Sequence, residues 1–297
     1  MALIENTLFG EVNKVETAID RVKFAYEIST NQDKGDLYVC FSGGKDSVVL
    51  AEICRLAKER YGIEYTLNYN ITGIDPPEVV YFMRKNYPNL IWHKYRKSMF
   101  ELIVHKHMPP TRIARYCCSE LKEHGGGGKV CLTGVRWAES VSRSRRRPFE
   151  NITKKMDEKM LFNDNDEGRL GFEQCQMKKK FVVNPIIDWT DEDVWQFIRE
   201  RNLPYCELYD TGVARIGCIG CPLSTTKNRE TDFERYPKFK QYYIKAFDKM
   251  LENMPNKAKL NWKNGEEVFD WWLYGENRHK PIEGQMELEL EQDDGTT

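Results

Sequence analysis

Val39-Cys40-Phe41-Ser42-Gly43-Gly44-Lys45-Asp46-Ser47 is the stretch whose reading decides the fold. Leu37, Val39 and Phe41 alternate with Tyr38 and Cys40, the period of a short buried strand. Ser42-Gly43-Gly44 breaks that strand. Asp46 or Ser47 can then cap a helix continuing through Val48, Val49, Leu50, Ile53 and Leu56. Strand, glycine turn and helix N-terminus together form an anion site. Backbone N–H groups and the positive end of the helix dipole face the turn, and glycines admit a phosphate closely. Lys45 adds a mobile positive charge. An ordinary strand-to-helix turn needs only the glycines, so Ser42, Lys45, Asp46 and Ser47 around them favour phosphate.

The 297 residues suit one large domain or a domain with an appendage, and 40% hydrophobic residues suffice for a substantial core. The net charge of −1 excludes a global basic field, so any nucleic-acid contact needs a local patch. Met1-Ala2-Leu3-Ile4-Glu5-Asn6 lacks a basic flank followed by an apolar run, and no stretch is apolar enough to span a bilayer. The expectation is a cytoplasmic protein without membrane contact. Nine cysteines without an export signal then argue for metal or redox chemistry rather than a disulfide framework.

Outward from the central stretch, strand and helix alternate. Residues 1–35 read as an N-terminal helix with Val12, Val15, Ile19, Val22 and Tyr26 on one face. Residues 65–70 and 90–92 read as strands. Pro76-Pro77-Glu78 opens a helix with Val79, Val80, Phe82 and Met83, and residues 99–104 form another. The fold class expected is α/β, a doubly wound, mostly parallel sheet with helices on both faces. Ligands of such sheets lie beyond the carboxyl ends of the strands, where Ser42 to Lys45 and Thr72-Gly73 both fall. His105 and His107 read as a solvent-facing pair, because no third ligand accompanies them.

A glycine break at residues 125–128 precedes a strand ending in Thr133-Gly134-Val135-Arg136. Beyond it lie Arg143, Arg145, Arg146 and Arg147, a set able to clamp phosphates or a nucleic-acid backbone. Arg136 and Arg143, nearest the strand end, are the expected phosphate contacts. Residues 150–180 are polar and read as an insertion or mobile lid. Thr190 with Asp193 reads as a capping box for a helix burying Val194, Trp195 and Ile198. The expected organisation is the helix at 1–35, a main domain at 36–225, a helical region at 226–284 and a disordered acidic tail at 285–297.

The cysteines are unevenly placed. Cys117 and Cys118 are adjacent, and Cys218 and Cys221 form a Cys-x-x-Cys. Two such pairs can supply four thiolates to zinc or to an iron–sulfur cluster, and spacing alone does not choose between them.

Ser42-Gly43-Gly44-Lys45-Asp46-Ser47 resembles the PP-loop of the adenine nucleotide alpha-hydrolase-like superfamily, which holds ATP or an adenylylated sulfate and generally acts at the alpha-phosphate. Arg115-Tyr116-Cys117-Cys118-Ser119-Glu120-Leu121-Lys122 with Cys218-Ile219-Gly220-Cys221-Pro222 is similar to the signature of assimilatory adenylylsulfate reductases. Thr72-Gly73 with Pro77-Glu78, Thr133-Gly134-Val135-Arg136 through Arg143, and Asn184-Pro185-Ile186-Ile187-Asp188-Trp189 resemble, in order, segments of the wider phosphoadenylylsulfate reductase family.

The resemblance implies an adenine nucleotide held by Ser42, Gly43, Gly44, Lys45, Asp46, Ser47, Thr72, Gly73, Gly134 and Arg136, with Mg²⁺. Lys45, Asp46, Arg136 and Arg143 would take part in the chemistry. It also implies a [4Fe–4S] cluster, rather than zinc, on Cys117, Cys118, Cys218 and Cys221.

Two features depart from the reductases. Their nucleophilic cysteine lies in a C-terminal Glu-Cys-Gly-x-His segment, and no cysteine follows Cys221 here. Asn70-Ile71 stands where an acidic residue usually precedes Thr-Gly. Of the remaining thiols, Cys175 and Cys206 read as the exposed ones. The same loop and cysteine set also resemble those of ATP pyrophosphatase-like proteins of nucleic-acid sulfur modification, and that resemblance implies an ATP pyrophosphatase in adenylation-coupled sulfur transfer, with nucleic acid as the acceptor class through the loop from Arg143 to Arg147. The alternatives are a sulfonucleotide (APS or PAPS) reductase served by a thioredoxin-like protein or an internal thiol such as Cys206, and a catalytically silent nucleotide-binding subunit. A sulfur-donor protein and self-association are the further partners expected.

Overall fold

The computed structural model describes residues 3–8, 10–123, 125–152, 160–162, 180–255 and 262–275. The chain opens with an antiparallel hairpin of β1 (Ile4–Thr7) and β2 (Gly10–Asn13). Helix α1 (Lys14–Asn31) begins only there, because the Asn13 side chain accepts from the Val15 and Glu16 N–H groups. The expected helix at 1–35 is thus corrected at its start, and Val12 belongs to a strand.

Next come β3 (Leu37–Cys40), α2 (Lys45–Tyr61), β4 (Tyr65–Ile71), α3 (Pro77–Asn86), β5 (Ile91–Lys94) and α4 (Met99–Lys106). They are followed by β6 (Val130–Leu132), α5 (Val141–Ser144), β7 (Phe149–Ile152), β8 (Met160–Phe162), β9 (Lys180–Val183) and α6 (Asp191–Glu200). Three further helices close the described chain, α7 (Thr226–Arg235), α8 (Pro237–Asn253) and α9 (Gly265–Tyr274).

Seven strands form one sheet in the order β5-β4-β3-β6-β9-β7-β8. The first five are mutually parallel, and β7 and β8 add antiparallel strands at one edge. The sheet is mixed and mostly parallel, with helices around it. Residues 150–180 are therefore not wholly an insertion outside the sheet. Their two ends pair into it, and residues 153–159 and 163–179, with Cys175, lie outside the described residues.

The parallel register sets the core. Leu67 and Leu132 flank Val39, and Val183 flanks Leu132, so these side chains share one face. Against it α1 buries Val15, Ile19, Val22 and Ile28, α2 buries Leu50 and Ile53, and α6 buries Val194, Phe197 and Ile198. Each such apolar side chain contributes about 1.5–3 kcal/mol when fully buried. Helix α3 extends that layer with Val79, Phe82 and Met83 around Phe41 and Tyr69. The opposite face carries Tyr38, Cys131 and Val182. A Cβ on Gly126 would lie 2.4 Å from Cys131 Sγ, so only glycine lets that segment lie against the sheet.

The chain divides into two compact units. One comprises residues 1–99 and 116–218, the other residues 100–115 and 219–297. The division falls between Cys218 and Ile219 rather than near 225, and residues 100–115 join the second unit. In that unit Phe233, Tyr243, Phe247 and Trp272 pack together, with Tyr243 and Trp272 rings 4.7 Å apart. His105 and His107 are both exposed. Residues 276–297, which include the tail expected to be disordered, lie outside the described residues. No helix of the described residues is long and apolar enough to cross a membrane.

Candidate nucleotide-binding site

The turn between β3 and α2 is built by close approach. Gly43 has φ +73, and a Cβ there would lie 2.8 Å from Val79 and 2.9 Å from Met83 of α3. Gly44, rather than Asp46 or Ser47, is the N-cap of α2, and its extended backbone turns the chain into the helix. The Ser47 hydroxyl donates to Gly44 O at 2.8 Å and lies 3.4 Å from the Ser42 hydroxyl. The Lys45 N–H donates to the Tyr209 hydroxyl at 2.9 Å, supplying one of the partners a helix start lacks. At the end of β6, a Cβ on Gly134 would lie 3.0 Å from Asp46 O, so the strand end closes directly on the start of α2.

Beside this turn four charged side chains form one network. Lys45 is buried; its ammonium lies 3.4 Å from Asp191 and donates to Ala214 O at 3.2 Å. Arg136 is fully buried, and donates from Nε to Asp46 at 2.8 Å, from Nη1 to Trp189 O at 3.1 Å and from Nη2 to Asp191 at 2.5 Å. Burial pushes the Asp46 carboxyl above its ordinary value, against the pull of Arg136 and Lys45. For Asp191 burial is outweighed by Arg136 and Lys45, which hold its carboxyl below its usual range.

Each of the three guanidinium nitrogens of Arg136 donates once, so the side chain braces Asp46 and Asp191 at the starts of α2 and α6. Arg143 is paired with Glu139, and Arg215 lies 3.8 Å from the same carboxylate. Farther along the loop, Arg146 donates to the buried Glu150 at 2.7 Å and Arg147 donates through its N–H to that carboxylate at 2.9 Å. Of the loop arginines, Arg145 is the exposed one.

The Thr72-Gly73 turn holds an acid that the sequence reading passed over. The Thr72 hydroxyl donates to Asp75 at 2.5 Å, the Tyr69 hydroxyl donates to the same carboxylate, and Cys218 Sγ lies 3.7 Å from Asp75 Oδ1. An acid three residues after Thr72 was the available signal. Asp191 was visible only as a helix-start acid. Tyr209 gave no signal at all, lying 164 residues from the N–H it accepts.

Cys117 caps a single π-helical turn, Cys118–Lys122. The charges of Cys218, Asp75 and Cys118 push the Lys122 ammonium upward. In the second unit, Cys221 acts electrostatically on the buried Arg229. Among the described residues no three His, Cys, Asp or Glu side chains are grouped to hold a metal ion. Cys206, expected to be exposed, is buried, and burial raises its thiol. It is not a poised nucleophile.

The family model of the phosphoadenosine phosphosulfate reductase domain matches residues 36–224. An adenosine 5'-phosphosulfate reductase of Oceanobacillus iheyensis is 25% identical over 223 residues, covering 72% of this chain and 81% of that protein. An uncharacterized protein of Methanocaldococcus jannaschii is 28% identical over 270 residues, covering 89% of this chain and 58% of its own length. This chain thus spans little more than half of that archaeal relative. A probable FAD synthase of Schizosaccharomyces pombe is 27% identical over 219 residues, covering 71% of this chain and 69% of that protein.

Proposed function

This chain belongs to the phosphoadenosine phosphosulfate reductase family, and we propose that within it the protein binds ATP at the Ser42 to Ser47 turn and cleaves it at the alpha-phosphate to activate an acceptor for sulfur transfer. The observation that carries the reading is the network of Lys45, Asp46, Arg136 and Asp191 beside the glycine turn. Lys45 is held by an exposed carboxylate and one carbonyl, partners that a triphosphate oxygen can replace without burying an unpaired charge.

In the proposed reaction an acceptor oxygen or nitrogen attacks the alpha-phosphorus, the bond to the bridging oxygen of the beta-phosphate breaks, and pyrophosphate leaves. The turn and the start of α2 face the phosphates with N–H groups and the helix dipole, and Lys45 balances charge on the leaving pyrophosphate. Arg136 keeps Asp46 and Asp191 in place while that charge moves. Asp46 is the carboxylate at the turn that would take Mg²⁺, which when bound neutralises phosphate charge. Cys117, Cys118, Cys218 and Cys221 would hold a [4Fe–4S] cluster, the group that supplies sulfur or electron handling when bound. Nucleic acid is the acceptor class proposed, through Arg145 and its neighbours.

The similarity to adenosine 5'-phosphosulfate reductases favours a second reading, reduction of a sulfonucleotide to sulfite. The buried Cys206 weighs against its internal-thiol version.

Anaerobically purified protein incubated with ATP, and separately with adenosine 5'-phosphosulfate and thioredoxin, decides between them. Pyrophosphate from ATP is the expected result. Lys45→Ala should weaken ATP binding about tenfold to a hundredfold, the loss of one charged hydrogen bond of about 1.5–3 kcal/mol. Sulfite from the sulfonucleotide with no pyrophosphate from ATP would establish the second reading instead.

A further inference from the structure

Tyr209 closes over the phosphate turn from a segment distant in sequence. It lies in a short helical turn, Glu207–Thr211, whose Leu208 and the preceding Cys206 are buried with Phe41, Val48, Val79 and Met83. Its N–H donates to Cys206 O at 3.1 Å, and its carbonyl accepts the Gly212 N–H at 3.2 Å. Its ring meets Trp195 of α6 edge-on, with centroids 5.1 Å apart. All of these residues belong to one compact unit.

The hydroxyl at the tip of this ring accepts the Lys45 N–H at 2.9 Å. A Cβ on Gly44 would lie 3.4 Å from the same oxygen, and the Lys45 ammonium is 5.6 Å from the ring centroid. Gly44 has no side chain with which to cap α2, so the phenol oxygen does what a serine or aspartate at the cap would do. A tyrosine hydroxyl carries one hydrogen as well as its lone pairs. Accepting the Lys45 N–H fixes the oxygen and leaves the hydrogen, which no group among the described residues takes. Burial pushes the phenol above its ordinary value, so the hydrogen is retained at neutral pH.

The contacts on this turn differ in how readily a phosphate can replace them. Ala214, whose carbonyl takes the Lys45 ammonium, and Asp191 are both exposed. Tyr209 is held through its ring and its backbone, so moving it would open the apolar layer around Leu208. An arriving anion therefore replaces Ala214 O and Asp191 at Lys45 and meets the Tyr209 hydroxyl where it stands.

We infer that Tyr209 is a nucleotide-binding residue: with its oxygen held by the Lys45 N–H, its hydroxyl donates its hydrogen to an oxygen of the triphosphate seated on the Ser42 to Ser47 turn, on the ATP reading proposed above. A neutral donor suits this place. Its hydrogen bond to a charged acceptor is roughly twice as strong as one between neutral groups. It also brings no charge that would have to be desolvated while the site is empty.

The test compares the full chain as wild type with Tyr209→Phe, which keeps the ring and removes the hydroxyl. Affinities for the α,β-methylene analogue of ATP and for inorganic triphosphate are measured by calorimetry, together with the melting temperature without ligand. Tyr209→Phe should bind both about tenfold more weakly, the low end for a hydrogen bond to a charged group because the phosphate can recover the freed Lys45 N–H. Tyr209→4-aminophenylalanine restores a donor and should recover most of that loss. Tyr209→4-fluorophenylalanine has nearly the size of tyrosine and no hydrogen to give, and it serves if the phenylalanine variant fails to fold.

Unchanged affinities in the variant without the hydroxyl would overturn the inference, and a lowered melting temperature beside them would mark Tyr209 as a helix cap alone. Tighter binding would overturn it as well, because it marks a hydroxyl that competes with phosphate for the Lys45 N–H. Wild-type protein that binds neither probe defeats the ATP reading itself, and the inference with it. Wild-type binding therefore separates the two failures.

Discussion

Asp46 is held between two opposed effects, and its pH behaviour follows from their balance. Burial raises its carboxyl above the ordinary value and Arg136 works against that rise. A carboxyl raised in the folded state binds its proton more tightly there than in the unfolded chain. Its contribution to stability is therefore present below the unfolded value and lost as pH climbs through the folded one. Arg136→Met removes the opposing cation, so Asp46 ionises at a still higher pH. The acid limb of pyrophosphate release should move to higher pH, and stability near neutrality should fall by about 2–3 kcal/mol, less than for a fully buried pair because Asp46 is 20% exposed. A pH–rate profile and a urea melt measure both effects. An unmoved acid limb would remove Asp46 from the chemistry.

At the scale of elements, the start of α6 ties the sheet to α1. The Thr190 hydroxyl accepts the Asp193 N–H at 3.1 Å, Asp193 accepts the Thr190 N–H at 2.8 Å, and the buried Lys14 at the start of α1 reaches Asp193 at 2.6 Å. Burial would raise Asp193, but the hydrogen bonds from Lys14 and Thr190 outweigh it and hold the carboxyl below its usual value. Its stabilisation is present above the unfolded value and lost as pH falls through the lowered one, so acid should loosen this junction below about pH 4. Thr190→Ala should cost about 1 kcal/mol at neutral pH, read as a lower melting temperature. Asp193→Asn should flatten the acid dependence as well. An Asp193→Asn protein with the wild-type acid slope would show that the junction does not titrate.

This capping box was legible because its residues are three apart, and the strand, glycine turn and helix around Ser42 to Ser47 were legible for the same local reason. What the sequence concealed is long-range or polar. The pairing of β7 and β8 hides in a segment whose composition resembles a loop. Asp191 and Tyr209 join the site only when distant elements meet. The buried Arg229 of α7 meets Trp272 of α9, 43 residues away, which no spacing announces.

For the whole molecule, charge decides how nucleic acid can be met. Lys and Arg number 45 against 46 Asp and Glu, so no long-range field draws a polyanion in, and contact must be local. Within the arginine loop, carboxylates of the same unit already take Arg143 and Arg146. Among the described residues of that loop region, Arg145 and Arg215 are exposed cations, and Arg215 is only loosely paired with Glu139. Two phosphate contacts release about two counterions, so the logarithm of affinity for duplex DNA should fall against the logarithm of salt with a slope of about −2. Filter binding between 50 and 200 mM salt, roughly the range over which such slopes are read, measures it. Arg145→Ala should flatten the slope by about one, whatever the DNA sequence. A slope steeper than about −4 would require a second basic face and would move the proposed acceptor contact away from this loop.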